Sequence, residues 1–136
     1  AVSTTHYILI TATGILWEPN WIVPLGTGFI INNLLVVNNY RDRITDKEVG
    51  KNTIIVLFGK RFGIVLYFFG FLISTVLCPL LDNRLNLVVL FFPVGIFLVY
   101  KLSIAKEKNE FSSLLSCSAI SVMVYGSIVA WLITRQ

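Results

Sequence analysis

Polar and apolar positions along the chain fall in blocks rather than in alternation. Apolar runs cover residues 2–17, 21–40, 62–81, 85–102 and 111–133, separated by "EPN", a long charged stretch, "DNR" and "AKEKNE". Runs of about 18 to 23 residues can cross a hydrocarbon core of ~30 Å as helices. The pattern therefore predicts an all-α, multi-pass transmembrane bundle of about five helices. The first run is short and begins abruptly, with neither the charged start nor the small-residue cleavage site of a secretory leader. It reads as a cut helix, and the chain as a fragment. The stretch "TIIVLFG", 53–59, is apolar but too short to span. Two readings are open for it: a cap over a cavity mouth that excludes water, or a plain interfacial helix.

Composition fixes the solvent. Of 136 residues, 56% are hydrophobic and 13% charged, against about 25% charged in an average soluble domain. That leaves too few charges to coat a soluble domain. The net charge of +4 follows topology instead. Arg41, Arg43, Lys47, Lys51, Lys60 and Arg61 share one loop, and Lys101, Lys106 and Lys108 another, while the alternate turns carry only Glu18, or Asp82 with Arg84. Basic loops are retained in the cytoplasm, so both are expected there, in a cell membrane, with the C-terminus outside and Trp131 and Arg135 as interfacial anchors. No basic stripe with interleaved aromatics lies outside these loops, so no nucleic acid is expected as a partner.

Several residues are set aside. Cys78 and Cys117 lie in apolar segments without CxxC spacing or a nearby histidine, which favours packing over metal or redox chemistry. His6, the one histidine, has no carboxylate at helical spacing. "GTG" lacks the strand and the glycine-lysine ending of a phosphate loop. Gly26, Gly28, Gly63, Gly70, Gly95 and Gly126 read as sites of close helix contact or bending.

What remains is the polar end of the second run. Asn32, Asn33, Asn38 and Asn39 begin inside the apolar stretch, and unsatisfied amides in lipid are costly, so they should face protein or a water-filled cavity. Asn38, Asp42 and Asp46 are each four residues apart, which stacks them along one helix face at about 6 Å per step. One reading is a solvated helix end whose aspartates form ordinary surface pairs with Arg43 and Lys47, in a noncatalytic membrane subunit. A transporter would place its ionisable groups nearer the midplane. The third reading is a magnesium–diphosphate site: Mg²⁺ is held by one or two carboxylates plus substrate phosphates and keeps several waters. Asn38 can then serve a metal-bound water or a phosphate oxygen, and Arg41, Arg43, Lys47 and Lys51 offset the diphosphate charge.

"NNYRDRITDKEVGKNTIIVLFGKRFG" resembles the second acidic motif of the UbiA superfamily of membrane prenyltransferases, with Asn38, Asp42 and Asp46 in its Asn-x-x-x-Asp-x-x-x-Asp form. Within it, "NNYRDR.TD" followed by "GKNT" looks most like the 1,4-dihydroxy-2-naphthoate polyprenyltransferases of menaquinone biosynthesis. The resemblance covers the whole chain. It implies nine transmembrane helices in the complete fold, of which residues 1–136 would supply the C-terminal part, with a first acidic motif in a missing N-terminal half as partner. It further implies Mg²⁺ as cofactor, with Asp42 and Asp46 as catalytic metal ligands, and Asn38, Arg43 and Lys51 on the diphosphate. The substrates implied are a polyprenyl diphosphate and an aromatic acceptor, 1,4-dihydroxy-2-naphthoate ahead of 4-hydroxybenzoate, homogentisate or a chlorophyll-type alcohol. With its partner half absent, the chain alone is expected to be inactive.

Overall fold

A computed structural model describes residues 21–135, and every element in it is helical. Helix α1 runs Ile22–Glu48, 27 residues or roughly 40 Å. That exceeds a bilayer core and carries its last turns beyond the apolar run. It ends in a Schellman motif. Gly50 takes φ 73°, its N–H donates to the Lys47 carbonyl at 3.2 Å, and the Lys51 N–H donates to the Asp46 carbonyl at 2.8 Å.

Helix α2, Ile54–Leu72, opens on Thr53, whose hydroxyl accepts from the Val56 N–H. Gly59, at φ 83° and ψ 176°, breaks it. The predicted short apolar segment is thus a single helical stretch, 54–58, set at an angle to the spanning helix that restarts at Lys60. It turns Ile55 inward against Gly63 and Tyr40 and leaves Leu57 and Phe58 exposed.

The span continues through a π-helical turn, Ile73–Leu77, into α3, Cys78–Leu81, with Pro79 in its first turn. Asp82, extended and accepting from the Arg84 N–H, turns the chain back.

The fourth apolar run departs from a uniform α-helix. Residues Asn83–Phe91 form a 3₁₀ helix, and α4 follows as Phe92–Ile104 with Pro93 in its first turn. Proline has no N–H to donate back to the preceding turn, so the α-ladder cannot cross this point, and the Phe92 N–H donates three residues back, to Val89. The tighter winding lengthens the path: nine residues at about 2.0 Å and thirteen at about 1.5 Å still give a span near ~37 Å. Helix α5, Lys108–Thr134, begins with a capping box between Glu107 and Glu110.

Four helical stretches, Ile22–Glu48, Ile54–Leu81, Asn83–Ile104 and Lys108–Thr134, are long and apolar enough to cross a membrane. The first predicted run, with His6 and Glu18, lies outside the described residues. α1 packs on α2 and α5, and α2 on α4. The contacts are close where a side chain is missing. A Cβ on Gly95 would sit 2.6 Å from the Phe71 ring, and one on Gly70 2.1 Å from Asn33 Oδ1. Gly28 and Gly126, in contrast to the expectation, have no close neighbour among the described residues. Polar links join the helices inside the bundle: Ser74 Oγ donates to the Gly26 carbonyl at 2.7 Å, Tyr125 Oη to the Ser74 carbonyl at 3.1 Å, and Tyr67 Oη pairs with Ser118 Oγ at 2.6 Å. Many large apolar side chains, such as Leu35, Leu80, Leu90 and Met123, remain exposed, as lipid-facing surfaces should be.

Candidate functional site

The last three turns of α1 carry the acidic motif, and helical periodicity keeps Asn38, Asp42 and Asp46 on one side of it. The same side runs down the helix through exposed Leu35 and Ile31, so the polar residues continue an open apolar stripe. The buried side is built by Ile30, Asn33, Val37 and Tyr40.

The two aspartates sit in different surroundings. Arg41 grips Asp42 with a fork, Nε to Oδ1 at 2.7 Å and Nη2 to Oδ2 at 2.8 Å, and the same Nη2 reaches Asn38 Oδ1 at 2.8 Å. A guanidinium thus fixes the orientation of both side chains. Asp46 is deeper: its side chain is 11% exposed against 34% for Asp42. Lys51 Nζ meets Asp46 Oδ1 at 3.3 Å, while Oδ2 is buried without a partner among the described residues. An unpaired buried carboxylate oxygen costs on the order of 1–3 kcal/mol or more, so this atom is poised for a ligand. Lys51 and, more weakly, Lys108 at the start of α5 add further positive charge around Asp42.

Among the positions singled out from sequence, Asn38, Asp42, Asp46 and Lys51 come together, Lys51 because Gly50 ends the helix and returns the chain. Arg43 does not join them. It lies about 100° around the helix from Asp42, over the Tyr40 ring at 4.9 Å, and lines a cleft of about 510 Å³ on the far flank of α1 with Ile44, Lys47, Ile55 and Lys60. Sequence counted Arg41 only among the cations offsetting the diphosphate and gave it no contact with Asp42, and it did not assign Lys108 to the site. Neighbouring residues on a helix do not normally face each other, and it is the length of the Arg41 side chain that lets it fold back onto Asp42. No cluster of three or more His, Cys, Asp or Glu side chains suited to a metal occurs among the described residues. The two aspartates nevertheless fit a share of a Mg²⁺ site: they are hard oxygen donors one turn apart, and one buried oxygen is unclaimed.

The sequence pattern of the UbiA prenyltransferase family matches residues 4–133. The chain belongs to the UbiA prenyltransferase family. No curated protein and no solved structure matches it. UbiA membership agrees with the all-helical, multi-pass architecture and makes this a membrane prenyltransferase, working on a prenyl diphosphate and an aromatic acceptor.

Proposed function

We propose that the chain carries the second acidic face of a Mg²⁺-dependent polyprenyltransferase that prenylates 1,4-dihydroxy-2-naphthoate in menaquinone biosynthesis. The observation that supports it most is the unclaimed, buried Asp46 oxygen one helical turn from Asp42 and two from Asn38, within the "NNYRDRITDKEVGKNT" block.

Asp42 and Asp46 would hold the metal, and Arg41 keeps the Asp42 carboxylate and the Asn38 amide in fixed orientation. Mg²⁺, when bound, neutralises the diphosphate and stabilises it as leaving group. Lys51 and the Asn38 amide bind diphosphate oxygens, Lys51 exchanging part of its contact with Asp46 for the substrate. The allylic C–O bond breaks with its electron pair leaving on the diphosphate. An electron-rich ring carbon of the acceptor then bonds to the allylic carbon, and the acceptor carboxylate departs as carbon dioxide, its bonding pair restoring the ring. The exposed stripe Ile31–Leu35 below Asn38 offers the isoprenoid chain an apolar path. Arg43, on the other flank, is left out of the diphosphate set.

One acidic face leaves a magnesium–diphosphate cage half closed, and the first acidic face belongs to the partner half implied by the nine-helix resemblance. The test is an assay of purified chain, alone and co-expressed with an N-terminal half of the same family, with Mg²⁺, a polyprenyl diphosphate and each acceptor in turn. Demethylmenaquinol-type product and carbon dioxide are expected only from the pair and only with dihydroxynaphthoate. Turnover of 4-hydroxybenzoate instead would overturn the acceptor, and prenylation by the lone chain would overturn the divided site.

A further inference from the structure

The cleft on the far flank of α1 is chemically distinct from the acidic face. Its walls are Arg43, Lys47 and Glu48 from α1 and Gly59 with Lys60 from the break in α2, and its floor is Ile44, Ile55 and Val56. Arg43, Lys47 and Lys60 form no ion pair among the described residues; the carboxylates that are paired take Arg41, Lys51 and Arg84. Three cations against one Glu48 thus surround a partly apolar hollow. Ile44 is 61% exposed, so the apolar part of the hollow opens outward, and Leu57 and Phe58, next to Val56 in the chain, are exposed as well. Gly59 makes the hollow possible. Its positive φ turns 54–58 away from the spanning helix, so that a new helical segment starts at Lys60, presenting the positive end of its dipole on the cleft side.

Cations without an ion-pair partner among the described residues beside aliphatic side chains, at the edge of a membrane, complement a ligand with an anionic head and hydrocarbon tails; Arg43, donating to the Tyr40 carbonyl, is held in place by its own helix. The geometry points to a binding site for an anionic phospholipid, its phosphate between Arg43, Lys47 and Lys60 and an acyl chain descending past Ile44, Ile55 and Val56. A soluble phosphate would use the cations but leave the apolar floor uncovered; a zwitterionic lipid would cover the floor but bring no net charge to the three cations. The site stands on a flank of α1 that shares none of the acidic residues, and it holds whether or not the prenyl-transfer reading is right.

The test uses the intact membrane protein, stripped in detergent and offered phosphatidylglycerol, phosphatidylcholine or inorganic diphosphate, with retained ligand read by native mass spectrometry. Wild type should retain phosphatidylglycerol over phosphatidylcholine. Lys47→Gln and Lys60→Gln should each weaken that retention about fivefold, the attraction of one basic residue for an anionic lipid surface. Val56→Trp, which fills the cleft without changing charge, should also release the lipid. Lys101→Gln with Lys106→Gln removes two cations from the other loop at the same membrane edge and should leave retention unchanged. An equal loss in that control would show a diffuse surface charge and overturn the site. So would diphosphate competing the lipid away, or lipid retention surviving Val56→Trp.

Discussion

Lys51 touches Asp46 twice: its backbone N–H donates to the Asp46 carbonyl at 2.8 Å, and its ammonium lies 3.3 Å from Asp46 Oδ1. The first contact closes helix α1; the second places a cation against the deeper carboxylate of the acidic face. One turn of chain thereby does both, and the turn depends on Gly50.

Gly50 adopts φ 73°, a conformation that costs other residues about 1 kcal/mol or more. No atom of the described residues lies within 4 Å of where its Cβ would be, so Gly50→Ala strains the backbone without a clash among them. The expected result is a modest loss of thermal stability together with a raised KM for the prenyl diphosphate, because Lys51 is displaced from Asp46. Lys51→Gln should raise KM with little change in stability. A Gly50→Ala enzyme with wild-type KM would separate the helix end from substrate binding.

The turn at Asn83 and the loop at Lys106 flank one span, the 3₁₀ helix plus α4. In a background without Cys78 and Cys117, Asn83→Cys and Lys106→Cys should react with an impermeant thiol reagent from opposite sides of the membrane, with Lys106→Cys on the cytoplasmic side. Labelling of both from one side would mean that the 3₁₀–α4 segment does not cross.

Gly95 receives the Phe71 ring so closely that an added Cβ would come within 2.6 Å of it. Both atoms belong to packed helices, so Gly95→Leu should force α2 and α4 apart and destabilise the fold by about 1–3 kcal/mol, measured as reduced detergent-solubilised melting temperature. Gly126→Leu, with no described residue within 4 Å of its added Cβ, is the control and should leave that temperature unchanged.

Membrane class and most spans were legible because lipid demands continuous apolar runs: 62–81, 85–102 and 111–133 are found within observed spanning stretches, and 21–40 matches one but for Trp21 at its N-cap. Winding was less legible. Pro93 was visible in the sequence, but whether a proline kinks a helix or shifts it to 3₁₀ is decided by its neighbours' packing. The four-residue register put Asn38, Asp42 and Asp46 on one face, as periodicity requires. The partners of those residues were harder to read: Arg41 reaches Asp42 through side-chain flexibility, and Lys51 reaches Asp46 through a left-handed glycine, neither of which periodicity encodes. Arg43 shows the converse, since residue type suggested a diphosphate contact while helical phase turned it about 100° away from Asp42, over the Tyr40 ring.

The proposed magnesium–diphosphate site on the acidic face of α1 has as its most specific mark the Asp46 oxygen that no described residue pairs. The most direct measurement is calorimetric binding of a non-reacting prenyl diphosphate analogue to the intact enzyme, with and without Mg²⁺, for wild type, Asp46→Asn and Asp42→Asn. Tight binding that requires Mg²⁺ is predicted for wild type, with a loss of at least about tenfold in each variant, the effect of some 1.4 kcal/mol, and with turnover falling by orders of magnitude while the protein stays folded and inserted. Unchanged Mg²⁺-dependent binding and turnover in Asp46→Asn would contradict it and leave this carboxylate as a partner of Lys51 alone.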